Sequence, residues 1–67
     1  MTPHTIAVSA IEGAIETMLL PSAGPVEDAK AETLVVAYFS LQAIDSDEFK
    51  PYCERIRRIA VRRKEAA

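Results

Sequence analysis

The first apolar stripe of the chain has the spacing of one face of an α-helix. Its members recur every three or four residues and are Val8, Ile11, Ile15 and Met18. Polar residues fall on the opposite side, at Thr5, Ser9, Glu12 and Glu16. Thr2 is placed to cap the first turn, and Pro3 sits where a missing amide proton costs nothing. The pattern predicts an amphipathic helix over 3–20.

A connector with two prolines and one glycine follows over residues 21–25 and must turn the backbone. Pro25 suits the first position of a second helix, and Glu27 and Asp28 would then lie in its first turn, where the helix dipole favours negative charge. This segment, 25–44, includes the most apolar stretch of the chain, 34–41. Its β-branched and aromatic residues also suit a strand. The flanking sequence favours a helix, because no turn signal interrupts the segment and no second strand exists to pair with it.

The second helix is apolar on more than one side. A main stripe contains Leu34, Ala37, Leu41 and Ile44. Further apolar side chains, Val35, Val36, Tyr38 and Phe39, spread over much of the remaining circumference. Two neighbouring helices cannot cover such a surface completely. The excess therefore predicts either contact with a second copy of the chain or an exposed binding patch.

The third segment is a basic amphipathic helix. Asp45 and Glu48 can cap it, and its start near Asp47 or at Pro51 is left open by the sequence. Its apolar stripe contains Phe49, Tyr52, Ile56 and Ile59. Its basic residues are Arg55, Arg57, Arg58, Arg62, Arg63 and Lys64. The expected fold is all-α, a helical hairpin followed by a basic C-terminal helix, in one domain over 1–67.

The small size of the chain predicts association. With 67 residues, one core supplies about 3 to 5 kcal/mol, and short chains usually add disulfides, a metal or a second subunit. Cys53 is the only cysteine and His4 the only histidine, so neither a disulfide nor a usual zinc site can form. We therefore expect an intertwined homodimer. The residues assigned to its core and dimer contacts are Val8, Ile11, Ile15, Met18, Leu34, Phe39, Leu41, Ile56 and Ile59.

Charge is distributed unevenly and leaves three roles open for the basic helix. Residues 1–46 hold one basic and six acidic residues, whereas 47–67 hold seven basic and four acidic residues, for a net charge of −2. The basic helix can be a solvated outer face. It can bind an acidic protein through Arg55, Arg58 and Arg62, because the guanidinium fork pairs with carboxylates. It can also contact nucleic-acid phosphates, although the net acidity counts against this.

Tyr38, Phe39 and Tyr52 are most simply core aromatics. Tyr38 is also the best candidate for an exposed residue at the partner-binding surface, because tyrosine joins a large rigid area to a hydrogen-bonding tip. No catalytic, cofactor or metal site is expected. Cys53 is interpreted as a small core residue, with a reactive thiol as the alternative. One cysteine, no basic residue before the first apolar stretch and no run of about 20 apolar residues predict a cytoplasmic protein.

The whole layout, with a proline-glycine connector, an apolar second helix containing Tyr38-Phe39 and a basic third helix, resembles the small early proteins of temperate phages. Among these, it is similar to the Pseudomonas phage anti-activators of quorum sensing. The resemblance implies a helical homodimer that covers the DNA-binding surface of a host LuxR-type regulator and inhibits the type IV pilus assembly ATPase. The expected function is thus a non-catalytic protein-binding inhibitor. A DNA- or RNA-binding regulator and a structural subunit of a larger assembly are the alternatives.

Overall fold

The computed structural model describes residues 1–66, and in this part of the chain it consists of three helices without a strand. The helices are α1, Pro3–Met18; α2, Pro25–Ser40; and α3, Ser46–Ala66. The all-α fold expected from the sequence is confirmed. α2 packs along both α1 and α3, whereas α1 and α3 approach each other over a short stretch only. The Cα atoms span 38 × 20 × 13 Å, so the helices form a flattened layer with α2 in the middle.

The first two helices begin where the sequence predicts. The Thr2 hydroxyl accepts a hydrogen bond from the Thr5 amide at 3.1 Å, which satisfies one of the free amides of the first turn of α1. Pro25 opens α2, and the Glu27 carboxylate reaches back to the Gly24 amide at 2.7 Å. Both starts depend on residues within three positions of each other, which is why the local sequence suffices to find them.

The start of α3, which the sequence left open, is at Ser46. The Asp45 carboxylate accepts from the Glu48 amide at 2.9 Å, and the Glu48 carboxylate accepts from the Asp45 amide at 3.2 Å. This reciprocal cap fixes the helix before Pro51, which lies exposed within it. Glu48 also contacts the His4 ring, Nε2 to Oε2, at 2.5 Å. The hydrogen bond from His4 and that from the Asp45 amide lower the pKa of Glu48.

α2 ends at Ser40, four residues before the predicted end at 44, because the backbone reverses at Gln42. Gln42 has a positive φ of 62°. Its amide donates to the Phe39 carbonyl at 3.0 Å, and the next amide, from Ala43, donates to the Tyr38 carbonyl at 2.9 Å. These two hydrogen bonds form a Schellman motif, which satisfies carbonyls at the helix end. Glutamine is not a residue that marks such a turn, so the sequence pattern missed it.

We expect Gln42→Gly to raise the free energy of unfolding by about 0.5 to 1 kcal/mol. Glycine adopts the left-handed conformation without the steric cost of a Cβ atom, and this gain exceeds the entropy that glycine loses on folding. Urea unfolding followed by circular dichroism measures the difference. Ser40→Gly is the matched control, since Ser40 is exposed and helical, and it should be destabilising instead. Destabilisation by both variants would contradict the interpretation of Gln42.

The core consists of eight buried side chains from all three helices and the α2–α3 connector. They are Ala7, Ile11, Ile15, Met18, Ala31, Val35, Ile44 and Ile56. Of the residues assigned to the core from the sequence, Ile11, Ile15, Met18 and Ile56 are buried, and Leu34 and Ile59 pack partly buried against the cluster. The stripe of α1 thus faces the core as its spacing predicts.

Three of the residues assigned to the core or to dimer contacts lie outside the core. Val8 is only half-buried, and Ala7 takes the place expected for it at the start of the stripe. Phe39 is 37% exposed, and Leu41 is 74% exposed. In α2 the buried positions are Ala31 and Val35. The buried side of α2 therefore differs from the predicted stripe. Because α2 is apolar on several sides, hydrophobicity alone does not select which side meets the neighbouring helices.

Candidate protein-binding surfaces

Arg55, expected to bind a partner, is engaged within the chain. It donates from Nη1 to Glu12 Oε2 at 2.9 Å and from Nη2 to Oε1 at 3.0 Å, which joins α3 to α1. Its guanidinium carbon lies 5.8 Å from the centre of the Tyr52 ring. The hydrogen bonds from Arg55 lower the pKa of Glu12, and those to Glu12 raise the pKa of Arg55. Arg55 is thus a structural residue in the folded chain.

Arg63, which the sequence placed on the basic outer surface, is also structural. Its Nη1 donates to both carboxylate oxygens of Asp28 at 2.8 Å, and its Nη2 donates to the Met18 carbonyl at 2.8 Å. The Met18 carbonyl belongs to the last turn of α1, where carbonyls lack partners within the helix. One side chain of α3 therefore ties together the end of α1 and the first turn of α2. No sequence signal separates Arg63 from its neighbours.

The remaining arginines form an exposed surface on α3 that we call the basic face. It contains Arg57, Arg58, Val61 and Arg62, which line a shallow depression between Glu54 and Glu65. Within residues 1–66, no carboxylate lies within 4.0 Å of the guanidinium groups of Arg57, Arg58 or Arg62. Two of the arginines assigned to partner binding, Arg58 and Arg62, are therefore exposed and form no ion pair within residues 1–66. Arg57 joins them in place of Arg55.

Tyr38 does not have the exposure expected from the sequence. It is half-buried and packs against the hydrophobic core. Its neighbour Phe39 is the more exposed of the two, and it stacks on Phe49 of α3 with ring centroids 4.3 Å apart and an interplanar angle of 29°. The expected exposure of Tyr38 is wrong because α2 turns this side chain toward the core, as the alternative interpretation of a core aromatic has it.

The outward side of α2 is an exposed apolar surface that we call the apolar face. It contains Val26, Ala29, Thr33, Val36 and Ala37 of α2, together with Leu41, the residue that follows the helix. The three large residues among them are between 51% and 74% exposed. Lys30 and Glu27 lie on the side of α2 next to α1, where they share a surface depression with Ala14 and Thr17. Glu32 borders the other edge, where its charge acts on Cys53 of α3 and helps to raise the pKa of that thiol.

Cys53 of α3 is half-buried and packs against the core. Burial is the largest cause of the raised pKa of Cys53, so the thiol form is favoured over the nucleophilic thiolate. Residues 1–66 contain no group of three or more side chains placed to hold a metal ion. In the same part of the chain, each helix is too short or too polar to span a lipid bilayer.

The fold and these surfaces define a small three-helix protein with one basic and one apolar exposed face. Comparison with protein-family profiles, with curated proteins and with solved structures found no match.

Proposed function

We propose that this chain is a non-catalytic protein-binding inhibitor or modulator, and that the basic face of α3 contacts an acidic surface of its partner. The single observation that supports this most is the availability of Arg57, Arg58 and Arg62. These three exposed guanidinium groups have no carboxylate partner within residues 1–66, whereas Arg55 and Arg63 are engaged. Arginine pairs with carboxylates through two parallel hydrogen bonds and is frequent among residues that dominate binding energy.

The geometry of the basic face supports a protein partner. Val61 lies among the arginines and is 48% exposed, so an acidic partner would meet an apolar contact beside three cations, with Glu54 and Glu65 at the ends of the depression. Interfaces commonly combine an apolar centre with a charged rim. The face is carried by a helix that the core and Arg63 hold in place, so its arginines are presented by a rigid element.

The resemblance to the anti-activators of quorum sensing provides the partners to test first. In this more specific form of the proposal, the chain acts in the host cytoplasm, where it binds a LuxR-type transcription regulator and the type IV pilus assembly ATPase. Binding of the fluorescently labelled chain to each purified protein can be measured by fluorescence anisotropy. Absence of binding to both would remove these two partners from the proposal.

We expect Arg58→Ala together with Arg62→Ala to weaken partner binding about 30-fold, which corresponds to about 2 kcal/mol. Both side chains are exposed, so circular dichroism should show unchanged helicity. Lys50→Ala is the matched control, because Lys50 is an exposed cation of α3 outside the basic face. A double variant that remains folded and binds as well as the parent would refute the assignment of the basic face.

Nucleic acid is the second candidate partner. The same unpaired cations, together with Lys64, could contact as many as four phosphates, and counterion release would then give a log–log salt dependence with a slope of roughly −3 to −4. The net charge of −2 opposes binding to a polyanion. Titration of a labelled DNA duplex and an RNA hairpin between low and high salt distinguishes the two candidates, since a steep slope is expected for nucleic acid only.

A further inference from the structure

We propose that Glu54 and Glu65 make the basic face selective for a short acidic protein segment with basic ends, and that they reject a continuous polyanion such as DNA or RNA. This selectivity rests on the proposed function, and it deepens that function by naming the charge pattern of the partner and the two residues that determine specificity. Both glutamates are exposed, and they line the two ends of the depression that contains the unpaired arginines.

Along α3, the charges of this depression follow the order negative, positive, negative. The arginines begin at Arg57 and end at Arg62, a distance of about 7.5 Å along a helix that rises 1.5 Å per residue. Each glutamate lies three residues, or about 4.5 Å, beyond the nearest of these arginines. The cationic stretch is therefore about one and a half turns long and has a carboxylate at each end.

The two glutamates are not engaged by the arginines beside them. Glu54 lies four positions before Arg58, and Glu65 lies three positions after Arg62, spacings at which side chains on a helix surface are neighbours. Within residues 1–66, however, neither carboxylate lies within 4.0 Å of a guanidinium nitrogen. The negative ends and the positive centre are thus both presented to whatever covers the depression.

The surrounding charges do not lengthen the cationic stretch within the depression. Lys64 precedes Glu65 and Lys50 lies one turn before Glu54, but neither lysine lines the depression. On the side toward α2, Glu32 and Arg57 both act on the Cys53 thiol, so a further carboxylate lies near this edge of the basic face. The arginines therefore stand between negative charges on more than one side.

This pattern distinguishes a nucleic acid from a protein segment. A nucleic acid carries a negative charge at every phosphate, so a strand that lies along α3 would meet a carboxylate on either side of the arginines. Like charges brought together across an interface suppress the wrong partner. A protein segment can instead place carboxylates opposite the arginines, an apolar side chain opposite Val61, and basic side chains opposite Glu54 and Glu65. Because both ends carry the same charge, such a segment is complementary in either chain direction.

Neutralising the two glutamates tests their role. At about 0.1 M salt, Glu54→Gln with Glu65→Gln should raise the affinity for a short labelled DNA duplex about tenfold, because the repulsion at both ends is removed. Glu16→Gln with Asp47→Asn is the matched control, since both residues are exposed and do not line the depression. Each double substitution removes two negative charges and takes the net charge from −2 to zero. The control should change the affinity less than about twofold, because distant charges are screened.

A synthetic helical peptide is the second probe, with glutamates and one leucine at its centre and a lysine at each end. The wild type should bind it, and Glu54→Gln with Glu65→Gln should bind it about threefold more weakly, because the contacts with the terminal lysines are lost. Opposite changes for the duplex and the peptide would support the proposal. Tighter binding of both probes, equal duplex affinity in the glutamine and control variants, or no binding of the peptide by the wild type would each overturn it.

The proposed function and this selectivity can fail separately. If Arg58→Ala with Arg62→Ala leaves partner binding unchanged, the basic face is not the binding site and the proposed function fails. If that variant loses partner binding while the glutamine variant shows no opposite changes, the selectivity alone fails. Sedimentation equilibrium tests the homodimer expected from the sequence, and self-association that disappears in the arginine variant would make a second copy the occupant of the basic face and overturn the proposal.

Discussion

Replacing Ile11 by alanine is expected to unfold most of the protein. Ile11 is fully buried in the centre of the α1 stripe. Truncating a buried isoleucine costs about 2 to 5 kcal/mol, because the lost methyl and methylene groups leave a cavity that the surroundings fill only in part. A single small core supplies about 3 to 5 kcal/mol in total, so the loss is comparable with the whole free energy of unfolding.

The measurement is urea unfolding of the wild type and the variant, followed by circular dichroism at one protein concentration. Ile6→Ala is the matched control, since Ile6 lies on the same helix and is 46% exposed. We expect its effect to be below about 1 kcal/mol, because a partly hydrated side chain loses less transfer free energy and leaves no cavity. Equal effects for the two variants would show that α1 does not pack as described.

The second large effect is expected for Arg63→Ala, which should lower the free energy of unfolding by about 2 kcal/mol. The substitution leaves the partly buried carboxylate of Asp28 without its partner and removes the hydrogen bond to the Met18 carbonyl. Three helices lose one common contact, so the cost should exceed that of an exposed ion pair.

Two further variants make the test of Arg63 specific. Arg62→Ala removes the same charge at the next position, where the side chain is exposed, and its effect should stay within about 0.5 kcal/mol. Arg63→Lys keeps the charge but lacks the planar fork that reaches Asp28 and Met18 together, so it should recover only part of the loss. A full recovery with lysine would mean that charge alone, and not the geometry of the fork, stabilises this junction.

The division of the arginines explains why the basic helix was difficult to interpret from composition. In the sequence, six cations stand within residues 55–64 without any visible difference in role. In the folded chain, Arg55 meets Glu12 and Arg63 meets Asp28, which are 43 and 35 positions away. The packing of the helices therefore decides which arginines are paired within the chain and which are left exposed for the proposed partner. The proposed partner-binding surface therefore keeps Arg58 and Arg62 of the residues predicted from the sequence, and it takes Arg57 in place of Arg55 and leaves out the half-buried Tyr38.

The sequence by itself determined the features that depend on neighbours within about four positions. These are the helical class, the starts of α1 and α2 through their caps and prolines, and the stripe of α1 that faces the core. The end of α2 was not predicted from neighbouring residues, because Gln42 takes a left-handed conformation that is unusual for glutamine.

Only the tertiary structure decided which side of α2 is buried and which cations stay free. α2 is apolar around most of its circumference, so several orientations bury similar area, and the choice falls to the fit with α1 and α3. That fit places Ala31 and Val35 inside and leaves Val36 and Leu41 exposed. Hydrophobic attraction is not directional, whereas packing shape and paired charges are, and these depend on residues distant in the chain.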